Sequence, residues 1–361
     1  MDRKYAKLFA GAATLALATT SLGTAALAQD EEMSGDYVIG MTNTLVGNGW
    51  REEMRCSILA QAAKSGQVAE VKEFHQNSDA AGQNESIRNF IVDGVDAIIV
   101  NPADAAGLDD AIKEATDAGI VVVSVDQSVT APTAYSITND HTEYARLGAD
   151  WLFDYLGGEG DVYYMRGAAG AGADDDRDAG FKAALENYPD INIVQEDHTG
   201  WNFDNGKKLM LDFLSSGLPV DGVWTSGIDF VIAEAFQESE VPVVPVVGAD
   251  SAEFVSQLVG EDAIEGFEAA FVTNPASIGG AGVTLALQAL NGEIDKVPAS
   301  PEDAVVNITP VLYENVTEEG AAATEGALDP DLPSTWPVGI TNDFTTYTKE
   351  EILACGGNPV E

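Results

Sequence analysis

The chain has 361 residues, with 17 basic and 60 acidic side chains and a formal net charge of −43. Apolar residues make up 45% of it and aromatic residues 8%, which suits packed cores and excludes wholesale disorder. The acidity excludes nucleic acid and anionic membrane surfaces as partners, because both need a basic footprint. His75, His141 and His198 lie far apart and only two cysteines are present, so no local zinc or iron–sulfur motif is visible. No cofactor and no metal is expected.

At the N-terminus, Arg3, Lys4 and Lys7 precede an apolar or small stretch from Leu8 to Leu22, and Ala26-Leu27-Ala28 fits the small-x-small rule of signal peptidase. Residues 1–28 therefore read as a signal peptide, cleaved near Ala28. The apolar stretch is shorter than the roughly 20 residues that a membrane span needs. Export to the periplasm is the expectation. Loss of three basic residues and one acidic residue would bring the net charge to −45. Such self-repulsion is relieved by salt and points to a saline habitat.

Asp36 to Met41 reads as a strand, followed by a helix from Gly49 to Lys64 with an apolar stripe of Trp50, Met54, Ile58 and Ala62. Cys56 lies about 200° around that helix from Met54, off the stripe. In an oxidising compartment Cys56 and Cys355 are expected to pair, with the tail running back over the helix. A strand from Val68 to His75, a helix from Ala80 to Asp93, a buried strand from Asp96 to Asn101, a helix from Pro102 to Ala118 and a strand from Ile120 to Asp126 follow.

After residue 140 the alternation restarts. Strands are expected at Asp161–Met165, Ile191–Glu196, Asp221–Thr225 and Val243–Asp250, and helices at Asp178–Tyr188, Phe203–Ser216 and about Phe230–Glu238. Asp96 to Asp126 spans 30 positions and Asp221 to Asp250 spans 29, each running Asp, apolar strand, polar turn, helix, apolar strand, Asp. Continuous apolar strands alternating with amphipathic helices imply parallel sheets covered on both faces. The fold class is α/β, with two Rossmann-like lobes.

Ligands of open α/β sheets sit beyond the carboxyl ends of the strands. Asn101, Asp126, Thr225 to Asp229 and Asp250 stand at such ends. Asn48 and Trp50 follow the first strand, and Gly167 to Arg177 follow the fifth. Taken singly, each polar residue is equally explained as a helix or turn cap. Arg177 has a second reading as the neutraliser of Asp174, Asp175, Asp176 and Asp178, and Trp50 and Trp201 as core aromatics. The run from Asp174 to Asp178 lacks the glycine and the bidentate glutamate of a calcium loop.

The motifs VGNGW (46–50), DGVDAIIVNP (93–102), GIVVVSVDQ (119–127), TND (138–140), GAGADDDRDAGF (170–181), GWNFDNG (200–206), VVGAD (246–250) and TNPASIGG (273–280) resemble those of ribose-type periplasmic sugar-binding proteins, from about Asp36 to Pro310. That resemblance implies type I architecture, with two lobes joined by a three-segment hinge that crosses near 136–140, 272–276 and 304–310. It places the N-terminal lobe at 36–138 plus 274–305, the C-terminal lobe at 139–273 plus 306–312, and a C-terminal extension at 313–361. The extension is expected to be tied to the first lobe without locking the hinge.

The resemblance also implies ligand-binding roles for Asn48, Trp50, Arg51, Asn101, Asp126, Gln127, Asn139, Arg177, Trp201, Asp229, Asp250 and Asn274. Arg51 stands where a second aromatic is common. Gln127 replaces an arginine, Ile228 an asparagine and Thr273 a glutamine, so the cleft differs from the ribose pattern. The implied function is delivery of a monosaccharide or sugar alcohol to the permease subunits of an ABC importer by a monomeric, non-catalytic receptor. A sensory receptor for a sugar-like signal would use the same cleft. An exported glycoside hydrolase, with Asp126 and Asp250 as its paired carboxylates, is the third class.

Overall fold

A computed structural model describes residues 33–301 and 303–355. The expected signal peptide, 1–28, lies outside the described residues. The first lobe opens with β1 (Tyr37–Asn43), α1 (Gly49–Ser65), β2 (Val68–His75), α2 (Ala80–Asp93), β3 (Ala97–Val100), α3 (Asp109–Asp117), β4 (Val121–Asp126) and β5 (Tyr135–Asn139). The second lobe follows with α4 (His141–Tyr155), β6 (Glu159–Arg166), α5 (Gly172–Leu185), β7 (Asp190–His198), α6 (Phe203–Ser216), β8 (Gly222–Thr225), α7 (Phe230–Glu238), β9 (Val246–Gly248), α8 (Ala252–Leu258) and β10 (Ala269–Val272). The chain then returns through α9 (Ile278–Leu290) and β11 (Val305–Ile308), and ends with β12 (Leu312–Glu314), α10 (Glu318–Ala327) and α11 (Lys349–Leu353).

Two six-stranded sheets result, ordered β11-β5-β4-β3-β1-β2 and β12-β10-β9-β8-β6-β7. All pairings are parallel except β10 with β12. In the first lobe, Met54, Ile58 and Ala62 of α1 pack with α9 on one face of the sheet. Ile87 and Phe90 of α2 and Ile112 of α3 cover the other. This explains the largely apolar character of β3 and β4: neither of their faces meets water. Several helices start on side-chain caps such as Asp79, Asp140, Asn202 and Ser251, each accepting from an amide in the first turn.

Three elements depart from expectation. α3 begins at Asp109 because Asp104 accepts from the amides of Ala106 and Gly107 and holds a turn there. α5 begins at Gly172, so Arg177 stands on a helix and not in the strand-end loop; Asp174 and Asp175 in the first turn favour that start. β9 is confined to Val246–Gly248, with Pro242 and Pro245, which have no amide proton to donate, just before it.

The third crossing also moves. β11 pairs with β5 as far as Ile308, so the chain leaves the first sheet at 309–311, later than the 305/306 boundary of the sequence reading. β12 pairs with β10, which makes the start of the expected extension part of the second lobe. The rest of the extension is tied to the first lobe as expected, and to the second lobe as well. Ala327 and Leu328 pack into the core of the second lobe, whereas Trp336, Tyr347 and Ile352 pack around Cys56 of the first. Cys56 and Cys355 form a disulfide with Cα atoms 5.4 Å apart. Cys56 does lie off the main stripe of α1, yet it is 1% exposed, because the tail covers that face.

Candidate ligand-binding site

Between the lobes lies a cavity lined by residues of both. Nine of the twelve expected site residues line it: Asn48, Trp50, Arg51, Asp126, Arg177, Trp201, Asp229, Asp250 and Asn274.

The β1–α1 loop supplies the first three. Asn48 caps α1, accepting from the Arg51 amide at 3.2 Å, and its Nδ2 donates across the cleft to the Trp201 carbonyl at 2.9 Å. Trp50 donates from Nε1 to the Asn274 carbonyl at 2.6 Å. The Arg51 guanidinium donates to Asn43 Oδ1 at 3.0 Å and lies 5.5 Å from the Trp50 ring centroid. Burial lowers its pKa to about 10, although Asp126 acts to raise it.

Asp126 ends β4 with a φ of 68°, a left-handed conformation unusual for a non-glycine residue. Its carboxylate faces His141, with Oδ1 3.2 Å from Nε2. Burial alone would raise its pKa, but His141, Arg51 and Arg177 outweigh it and hold the carboxyl below its ordinary range. On α5, Arg177 donates from Nε to His141 Nδ1 at 3.2 Å and from Nη1 to the Ser226 carbonyl and hydroxyl, both at 3.1 Å. His141 therefore accepts at Nδ1 and donates at Nε2. The Arg177 guanidinium also stacks 4.2 Å from the Tyr144 ring centroid. One chain of contacts thus joins Asp126, His141 and Arg177.

Trp201 has a φ of 52°, and its indole donates to the Ser226 carbonyl at 2.9 Å. A side chain at Gly167 would meet that indole within 2.3 Å, so only glycine fits there. Asp229 caps α7, its Oδ1 accepting from the Phe230 amide and the Ser251 hydroxyl, both at 2.8 Å. Asp250 Oδ1 accepts from the Asn274 amide at 3.1 Å. The Oδ2 atoms of Asp229 and Asp250 have no hydrogen-bond partner among the described residues. Burial pushes the two carboxyls up to about 6 and about 7.

Asn101, Gln127 and Asn139 stand behind the wall. Gln127 accepts from the Ala173 amide of the second lobe at 3.1 Å and donates to Asn101 Oδ1 at 3.3 Å. Asn101 also contacts the Met54 sulfur. The side-chain amides of Asn139 and Asn274 hydrogen-bond at 2.8 Å, and Asn139 donates to Asp126 at 3.3 Å. Sequence reasoning missed His141, whose placement depends on a hinge crossing, and Thr335 and Pro337, which the extension brings to the cavity. Ser226 and Gly227 fell inside the strand-end run already singled out.

The cavity combines charged donors, carboxylate acceptors and indole faces. Such a set satisfies hydroxyls that both donate and accept, and covers apolar C–H faces. Among the described residues no cluster of three or more His, Cys, Asp or Glu side chains suits a metal ion.

The galactofuranose-binding protein YtfQ of Escherichia coli (strain K12) is 28% identical over 208 residues, 55% of this chain and 65% of that protein. The xylitol-binding protein of Mycolicibacterium smegmatis is 30% identical over 181 residues, 49% of this chain and 52% of that protein. The alignments thus span about half to just under two thirds of these relatives' lengths. Among solved structures, the binding component of the arabinose ABC transporter of Shewanella sp. ANA-3, bound to α- and β-L-arabinofuranose, superposes with a TM-score of 0.70 at 26% identity, covering 80% of this chain and 95% of that one. The family model described as periplasmic binding protein domain matches residues 39–294, most of the chain, and the chain belongs to that family.

Proposed function

We propose that this protein is an exported, non-catalytic receptor that binds one uncharged monosaccharide or sugar alcohol between its lobes and delivers it to an ABC importer. The observation that carries this reading is the shared cavity, where Arg51, Asp126, Arg177 and Asp250 converge with Trp50 and Trp201 from two separate lobes. A single guanidinium or carboxylate hydrogen bond to a hydroxyl contributes about 1.5–3 kcal/mol. Micromolar affinity needs only about 8 kcal/mol, so a few such contacts suffice after the association cost.

The relatives named above bind a galactofuranose, xylitol and L-arabinofuranose, which are all compact, uncharged and dense in hydroxyls. The lining favours the same class. Two guanidiniums stand beside three carboxyls, so the site carries no large excess positive charge for an acidic ligand.

The test is a thermal-shift screen of pentoses, hexoses, tetritols and pentitols on the purified protein, followed by calorimetry on each hit. At least one member is expected to raise the melting temperature and bind with one-to-one stoichiometry. No stabilisation by any of them sinks the reading. Turnover of a glycoside, abolished by Asp126→Asn, would replace it with the hydrolase class.

A further inference from the structure

The segment from Leu328 to Gly339 passes from one lobe to the other along the cavity. On the second lobe its backbone is hydrogen-bonded to the stretch that carries Asp250. The Ala252 amide donates to the Trp336 carbonyl, the Glu253 amide to the Ser334 carbonyl, and the Val338 amide to the Asp250 carbonyl, each at 2.8 Å. Pro337 sits opposite Ser251 in an isolated antiparallel bridge. On the first lobe, Trp336 is buried against the cluster around Cys56. The Ser277 hydroxyl donates to the Gly339 carbonyl at 3.0 Å, and the disulfide fixes the far end to α1. The strap is therefore a fourth connection between the lobes, held on both sides.

Two of its residues border the cavity. Thr335 and Pro337 line it beside Asp250 and Trp50. Thr335 is half-buried, and its hydroxyl makes no hydrogen bond to the described residues. The start of α1 is shaped to receive it: a Cβ on Gly49 would lie 2.2 Å from both the Thr335 carbonyl oxygen and its hydroxyl. A glycine between Asn48 and Trp50 thus lets the strap reach the ligand wall.

We infer that the C-terminal strap forms part of the binding site, with Thr335 as a specificity-determining residue and Pro337 as a general apolar contact. The Thr335 hydroxyl exchanges a hydrogen bond with one ligand hydroxyl, and the Pro337 ring covers an apolar C–H face. The inference rests on the sugar or polyol reading above. It adds to that reading that ligand choice is set partly from outside the two duplicated lobes.

The experiment compares wild type, Thr335→Val, Thr335→Ser and Pro337→Gly by calorimetry. The probes are the best sugar or polyol from the screen and its singly deoxygenated analogues. Ligand-free melting temperatures identify the folded variants, and Thr335→Ala replaces Thr335→Val if the latter fails to fold. Thr335→Val is expected to weaken the parent ligand about tenfold, the size of one lost hydrogen bond. Thr335→Ser should bind as wild type does, and one deoxy analogue should show no difference between wild type and Thr335→Val. Pro337→Gly should weaken all members alike.

Equal affinities and an unchanged ranking in wild type and Thr335→Val would overturn the inference while leaving the sugar reading intact. So would an equal loss for Thr335→Val across the parent ligand and every deoxy analogue, which marks a structural role only. If wild type binds no member of the panel, the sugar reading fails and the inference falls with it.

Discussion

Asn48 Nδ2 donates to the Trp201 carbonyl at 2.9 Å, joining the cap of the first lobe's leading helix to a left-handed residue of the second lobe. One amide therefore does two jobs: its oxygen starts α1 and its nitrogen latches the lobes. The family resemblance assigns this asparagine to the ligand. In the structure one of its two amide protons is committed to the Trp201 carbonyl, so part of its effect on binding runs through the contact between the lobes. Serine separates the two jobs, because it keeps a capping oxygen and loses the reach.

Asn48→Ser is expected to keep the ligand-free melting temperature within about 3 °C of wild type, since the cap survives. It should weaken ligand affinity about fivefold, the effect of removing roughly 1 kcal/mol from the closed state alone. Calorimetry and small-angle scattering of the ligand-free protein check it. A large drop in melting temperature with unchanged affinity would place the role of Asn48 in folding and not in closure.

Much of this site was legible because strand ends announce themselves. The Val- and Ile-rich β3 and β4 have no polar face, so the polar residues that end them stand out, and Asp126 was found that way. Resemblance then brought Arg177, Trp201 and Asn274 to the same cleft, where they meet. Other features depend on contacts that local pattern cannot encode. The acid-rich, glycine-rich start of α5 reads as a loop until the strand before it fixes its direction. His141 acquires its role only when the first hinge crossing sets it between Asp126 and Arg177. The strap reaches the cavity through pairings such as Ser251 with Pro337, and nothing in the sequence marks either partner.

Binding should be coupled to proton release. The Asp250 carboxyl is buried, and burial lifts it to about 7, with Asp229 at about 6 and Glu53, buried with both oxygens unpartnered among the described residues, well above its ordinary value. Raised values mean that the native state holds protons that the unfolded chain has lost. For Asp229 and Asp250 this contribution is fully present below about pH 4 and is lost as pH rises through 6 to 7. A ligand hydroxyl donating to Asp250 Oδ2 stabilises the charged form and lowers that pKa. Affinity is therefore expected to rise between about pH 5 and 8, with protons released on binding. Calorimetry in buffers of different ionisation enthalpy measures this directly. Asp250→Asn should abolish most of the proton release and stabilise the ligand-free protein at pH 8 relative to wild type. No buffer dependence would show that Asp250 stays in one protonation state throughout.

Salt should stabilise this fold. The sequence carries 60 acidic and 17 basic side chains. Raising ionic strength from 0.1 M to 1 M shortens the screening length from about 10 Å to about 3 Å. The same change weakens exposed ion pairs such as Arg88 with Glu114 and Lys113 with Asp117. Each exposed pair contributes only about 0–1 kcal/mol, however, and the unpaired acids far outnumber them, so relief of repulsion wins. The melting temperature is expected to climb by several degrees between 0.1 M and 1 M NaCl. A fall over that range would mean that ion pairs, and not net charge, dominate.

The disulfide links positions 299 residues apart, so reducing it restores nearly the whole conformational freedom of the unfolded chain. Cross-links of this kind contribute about 2–4 kcal/mol. The native contacts around it are extensive: Trp336, Tyr347 and Ile352 are buried with Cys56, Lys64 pairs with Glu351, and Gln61 accepts from the Thr346 amide at 2.8 Å. The Cys56→Ser/Cys355→Ser double variant is therefore expected to fold, to melt several degrees lower, and to keep the tail docked until just before the main transition. Limited proteolysis separates the outcomes. Cleavage confined to the region after Leu328 at temperatures well below the melt would show that the bond alone holds the tail. Resistance up to the melt would show that packing against α1 holds it, with the bond acting chiefly on the unfolded state.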